Sequence, residues 1–391
     1  MKFRKAVVLA LLGMLAVTVV LPIMGCDNAT NSSTSGGTGT GGTSGGGTAN
    51  PPSVDSYETV DKLEFDTAKS GNKKLPFLTK DAVKKMMLDT KQSKFPADRE
   101  TGIEHLQEKP SYTAPYSIGK VKQAALDYSL ARLNNFRRMA GLSSVELDES
   151  LNEQAQYNAF LVSYYNSYDA GAKPSDMPDD IYKKGKNINT ALRLVQPRII
   201  DSSDYYLEDM GNSNLGHRFP LLKPDLKKVG FGVATPYKGE GATATQFSPD
   251  VSSYSSWEYS NPAGFDWDFI SWPTPGYFPI NLWNAGNEAQ GYKCWSVNLN
   301  PHYSKKYGIS NGTANPTEIT VVKNGTEKWS TADKEGYKKF TYRLSNAARW
   351  SFVFELPGAT YSDGDKYTVT LLNVGGNSPI SYTVEFFDVN K

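Results

Sequence analysis

Cysteine and histidine are scarce in this 391-residue chain. Two Cys make neither a disulfide framework nor a Cys-based zinc site, and three His cannot build a His-rich metal centre. An excess of one charge is missing too: 42 Lys and Arg stand against 41 Asp and Glu. A phosphate-binding stripe needs basic surplus, so no nucleic-acid partner is expected. There is no P-loop, no HExxH and no EF-hand loop. Gly37–Gly42 fits GxGxxG and Gly42–Gly46 fits GxSxG, but neither follows a strand or opens a helix, so both are dismissed. What the chain does have is 39% hydrophobic and 12% aromatic residues, enough for a true core. Tyrosine, with 23 copies, is the commonest aromatic.

The N-terminus reads as an export signal. Lys2, Arg4 and Lys5 precede an apolar run from Ala6 to Met24, and Ile23-Met24-Gly25-Cys26 resembles a bacterial lipobox. Residues 1–25 are therefore expected to be a lipoprotein signal peptide and Cys26 the lipidated first residue of the mature chain. The competing reading is an uncleaved anchor helix, since the run is just long enough to span a bilayer. Residues 26–56 are mostly Gly, Ser, Thr and Asn and read as a flexible leash. With Cys26 lipidated, Cys294 is left alone, and its strand-like surroundings suit a small buried hydrophobe.

Residues 57–115 form a polar N-terminal extension with one short helix capped by Thr79 and carrying Val83, Met86 and Met87. From Ile118 to Ala140, Val121, Ala125, Tyr128, Ala131 or Arg132, Asn135 or Phe136, and Met139 recur at helical spacing, and Gly141 offers the stop. Asp148 then caps a helix with Leu151, Ala155, Ala159 and Val162 on one face. Val229–Ala234, Phe265–Trp272 and Cys294–Leu299 read as strands. From Asn311 the pattern changes to short β-branched and aromatic runs at Thr317–Lys323, Lys338–Arg343, Trp350–Leu356, Lys366–Asn373 and Ser381–Asp388. Turn signals such as Asn324-Gly325 and Asp363-Gly364 separate them, which suggests a small β-sandwich over residues 311–391, anchored by Trp329 and Trp350.

Several segments together carry a resemblance: Leu133–Leu142, Leu147–Gln156, Gly216-His217-Arg218, Leu221–Pro224 and Val229–Ala234. In order and spacing they resemble the CAP superfamily, the SCP- and antigen-5-like proteins, over roughly Ser117 to Asn300. Gly211–Pro224 and Trp272–Pro279 are similar to a bacterial lipoprotein branch with a C-terminal β-rich extension. The resemblance implies an α+β fold: a three-layer α-β-α sandwich over residues 116–310, followed by the small all-β, sandwich-like domain.

Many CAP domains hold two His and two acidic residues in a cleft that can take a divalent cation. The resemblance places the second His at His217, the first at Asn158 and one acid at Lys186, with Glu208 a loose candidate for the other. One imidazole, one amide and one ammonium make a poor ligand set, so no metal and no cofactor is expected. His217 has two readings, a cleft acid/base or a turn-fixing side chain, and Arg218 reads as a surface or inter-loop ion pair. Trp272, Tyr277 and Trp283, in a Pro/Gly-rich loop, are either packing aromatics or an exposed platform for a sugar ring or peptide. The expectation is a membrane-tethered, extracytoplasmic, non-catalytic CAP-like binding module. Its ligand would be an envelope protein, a polysaccharide or a lipid, and it would sit on the cell membrane or outer membrane. The alternative is a cell-envelope hydrolase of peptide or polysaccharide centred on His217.

Overall fold

The computed structural model describes residues 59–60, 77–90, 105–167, 170–186, 191–194, 202–209, 214–235, 237, 243–249, 269–283, 293–299, 316–345, 351–374 and 379–391. The chain divides into two units, Met1–Gly47 and Thr48–Lys391, and the first lies outside the described residues. So do the expected signal peptide, Cys26, the leash and Trp350. No described helix is long and apolar enough to cross a membrane.

In the N-terminal extension, β1 (Thr59–Val60) pairs with β2 (Phe77–Leu78), which leads into α1 (Lys80–Asp89). The Thr79 hydroxyl caps α1 by accepting from the Ala82 N–H, as its sequence position predicts. The helix expected from Ile118 begins later. Gly119 takes φ +76°, and β4 (Lys120–Val121) pairs with β3 (Leu106–Glu108) before α2 (Gln123–Met139) starts. Arg132 and Asn135 on α2 donate to the carbonyls of Met87 and Met86, which ties α1 to the core.

The next elements are β5 (Glu146–Leu147), α3 (Glu149–Tyr165), α4 (Asp179–Lys186), β6 (Ala191–Leu194), α5 (Ser202–Glu208), α6 (Arg218–Leu221), β7 (Lys228–Ala234) and β8 (Thr243–Pro249). Their four strands form one sheet in the order β5-β7-β8-β6, with only β5–β7 parallel. Strand β7 sets the layers. Val229, Phe231 and Val233 join the core that contains α2, while Gly230 and Gly232 lie directly under α3. The Asn152 and Gln156 side chains of α3 accept from the N–H groups of Phe231 and Val233, which ties the helix to the strand backbone. Helices thus cover both faces of the sheet.

The β-rich part begins earlier than residue 311. It comprises β9 (Phe269–Trp272), β10 (Gly276–Pro279), α7 (Ile280–Trp283), β11 (Trp295–Leu299), β12 (Glu318–Lys323), β13 (Glu327–Ser330), β14 (Lys338–Lys339), β15 (Tyr342–Leu344), β16 (Ser351–Phe354), β17 (Lys366–Leu372) and β18 (Ile380–Phe387). A six-stranded sheet runs β10-β18-β17-β12-β13-β14 and a four-stranded one β15-β16-β11-β9. Strands before residue 311 thus hydrogen-bond to strands after it in both sheets, and the division expected at 311 cuts through each of them. Trp295 of one sheet lies 5.6 Å from Tyr367 and 6.0 Å from Phe386 of the other, so the sheets face each other. A relay of edge-on rings, Phe136–Trp272–Phe278–Phe386, carries the core from α2 to β18. The whole is an α+β structure whose helical and sandwich parts share one apolar interior.

His105 is fully buried, and its pKa is lowered from 6.5 to about 4, by desolvation first and by the Lys122 charge second. The folded imidazole therefore binds its proton more weakly than the unfolded one. Stability from this group is complete above pH 6.5 and is lost as pH falls toward 4, up to about 3 kcal/mol. Urea denaturation across this window should show that slope, and His105→Gln should flatten it. An unchanged slope in the variant would refute the assignment.

Candidate functional site

The site forms where α5 ends and α6 begins. Asp209 follows α5 with φ +51°, and this left-handed turn lets its side chain reach α6. Asp209 Oδ2 accepts from the backbone N–H of His217 at 2.8 Å and of Arg218 at 3.1 Å. Asp209 Oδ1 lies 2.7 Å from His217 Nδ1. The carboxylate is buried, while 27% of the imidazole side chain is exposed. In the tautomer with its proton on Nδ1, the ring donates to this carboxylate and Nε2 is the acceptor. The Tyr206 ring packs 5.5 Å from the imidazole.

Arg218 holds this loop from below. It is 1% exposed, and its guanidinium donates to the carbonyls of Leu207, Glu208 and Cys294 and to the Ser296 hydroxyl. Two of these acceptors end α5 and two belong to the β11 region. Burial draws the Arg218 pKa down to about 10, against the opposing pull of Asp209. Arg132 docks α5 through a two-pronged pair with Asp204, at 3.0 and 2.6 Å. Arg137, also buried, donates to the carbonyls of Leu221 and Lys223 at the far end of α6.

The sequence expectations meet this geometry unevenly. His217 is in the site, and Arg218 is a buried multi-acceptor clamp rather than a surface ion pair. Glu208 lends Arg218 its backbone carbonyl, and the carboxylate facing His217 comes from Asp209, one residue on. No sequence signal separates these two adjacent acids; the end of α5 decides between them. Asn158 is buried; its amide donates to the Gly185 carbonyl and its oxygen accepts from Gln154, which fastens α4 to α3. Lys186 is exposed, with its ammonium 5.1 Å from the Tyr182 ring centre. These donors do not suit a divalent cation: an ammonium repels it, and the Asn158 amide is committed to the backbone. Among the described residues, no group of three or more His, Cys, Asp or Glu side chains is placed to hold a metal ion.

Of the two readings of the aromatics near β10, Trp272 and Trp283 take the packing one. Trp272 and Trp283 are 2% and 6% exposed, in the ring stack between α2 and β18, and Tyr277 is only half-buried. Their Pro/Gly-rich setting reflects tight packing around β10, not a surface loop. Cys294 is buried as expected; its thiol touches Glu355 and Arg343, and burial lifts its pKa to about 11.

Residues 130–247 match the family model for CAP, described as the cysteine-rich secretory protein family. The match takes in most of α2, all of α3 to α6, β7, and the Asp209–His217 loop. A comparison with curated proteins gives no match.

Proposed function

From the CAP domain that spans residues 130–247, we propose that the protein is an extracytoplasmic interaction module, tethered to a membrane by lipid on Cys26 and non-catalytic at His217. The use of Asp209 carries this reading. Its carboxylate takes two backbone N–H groups and the imidazole at once, so it closes the α5–α6 loop as much as it orients a base. Among the described residues, the ring meets Asp209 and Tyr206, neither of which is a nucleophile that a general base would activate for acyl transfer. The same buried Asp beside an Nδ1 is what favours the second reading, an envelope hydrolase with Nε2 as base.

Labelling cells with an alkyne fatty acid tests the tether. The wild-type protein should take the label and fractionate with membranes, and Cys26→Ser should lose both label and processing. An N-terminus intact at Met1, with membrane partitioning unchanged in Cys26→Ser, would show an uncleaved anchor instead. Turnover of envelope peptides or glycans by the wild-type chain, abolished in His217→Gln, would establish the hydrolase.

A further inference from the structure

A second apolar cluster stands apart from the main core. Helix α3 presents Tyr157, Phe160, Leu161, Tyr164 and Tyr165 at helical spacing, and the segments around Tyr116, Tyr182 and Tyr237 close over this stripe. Its inner members are buried, among them Phe160, which stacks on Tyr112 at 4.8 Å. Its outer members are not. Tyr116, Tyr164, Tyr165, Tyr182 and Tyr237 all keep partial exposure. Five half-exposed phenols on one face are more than is needed to seal a small core.

These rings are fixed. Tyr164 stacks on Tyr237 at 4.7 Å and 12°, and meets Tyr165 edge-on at 4.9 Å. The Tyr165 hydroxyl donates to the Ala172 carbonyl, the Tyr182 hydroxyl to the Gly171 carbonyl, and the Tyr116 hydroxyl to Asp176 at 3.2 Å. The Tyr116 phenol is pushed up to about 12, by desolvation and then by its bond to Asp176, so it stays protonated. Nearby charges balance as a group: Lys173 and Lys183 share Asp179, Lys184 pairs with Glu153, and Lys186 lies over the Tyr182 ring, while Asp176 and Asp180 supply two further acids. The face is therefore rigid, aromatic, rich in hydroxyls and close to charge-neutral. An anionic lipid surface calls for surplus cations, whereas a neutral polyhydroxylated chain calls for flat rings beside neutral hydroxyls.

We propose that this tyrosine face, built on α3 and α4, is a carbohydrate-binding site for a neutral glycan chain. Sugar rings would lie against the exposed phenol faces, with their hydroxyls meeting the Tyr116–Asp176 pair. Pre-set rings keep the entropy cost of binding low. The site rests on the interaction-module reading and supplies its ligand class.

Calorimetry on the mature chain tests it, with linear hexasaccharides of glucose and of N-acetylglucosamine as probes. At least one should bind with a Kd below 1 mM. Tyr237→Ala should weaken it about tenfold or more, the size expected for truncating an aromatic anchor. Tyr116→Phe, which keeps the ring and the fold, should weaken it by a smaller factor, and Lys334→Ala, far along the chain, should leave it unchanged. Absence of binding to either probe at 10 mM would overturn the glycan site. A proline-rich peptide bound at the same tyrosines in its place would also overturn it, yet leave the interaction module standing. Hydrolysis of the probe that depends on His217 would instead overturn the module reading.

Discussion

Replacing Arg218 by Met should destabilise the folded chain by about 3–5 kcal/mol, the range for removing one partner from a buried charged network. The guanidinium is 1% exposed and serves three carbonyls and one hydroxyl. Methionine fills much of its volume but donates nothing, so these acceptors are left without that donor in a dry interior. It also removes the positive charge beside the buried Asp209 carboxylate. The loss should reach the site: as Asp209 and the α5 end loosen, the His217 Nδ1 proton should exchange faster with solvent. Arg218→Lys should rescue little, because a single ammonium cannot reproduce the planar fork. Guanidinium denaturation gives the stability and imidazole ¹⁵N–¹H spectra give the site. A stability loss under about 1 kcal/mol for Arg218→Met would mean that the loop stands without its clamp.

This clamp explains what was and was not legible in the sequence. The caps at Thr79 and Asp148, the stop at Gly141 and the turn at Asn324-Gly325 lie where the local chemistry put them, because each depends on neighbours within four residues. Strands β12, β16, β17 and β18 were equally readable from their β-branched and aromatic runs. The site was not. Asp209 and His217 are eight residues apart, and Arg218 finds two of its acceptors at residues 294 and 296. The two readings of Trp272 and Trp283, packing or platform, stayed open for a related reason. An aromatic beside Pro and Gly looks alike in a surface loop and in a tight core corner, and only the partners Phe136, Phe278 and Phe386 distinguish them. The boundary at residue 311 marked a real change of texture, but β9, β10 and β11 are too short and too aromatic to reveal which sheet they will join.

Gly232→Ala should cost about 3 kcal/mol, at the upper end of the usual range for forcing extra volume into a packed interior. A Cβ at Gly232 would lie 2.4 Å from the Ala155 carbonyl carbon and 2.5 Å from the Gln156 nitrogen. Both obstacles are backbone atoms of α3, so no rotamer change relieves the clash and the helix itself must move. Moving it strains the bonds from Gln156 to both backbone groups of Val233, and the Asn152 bond to Phe231 with them. Gly230 is tighter still, with Leu151 backbone at 2.1 Å, so its alanine variant should be at least as damaging. Gly325 separates two causes that a glycine substitution usually mixes. A Cβ there meets nothing within 4 Å, but φ is +76°, so Gly325→Ala should cost only the backbone penalty of about 1 kcal/mol. Thermal denaturation of the three variants should place Gly230→Ala and Gly232→Ala well below Gly325→Ala. The reverse order would mean that α3 does not rest on β7 through these two glycines, and the layer order of this region would have to be redrawn.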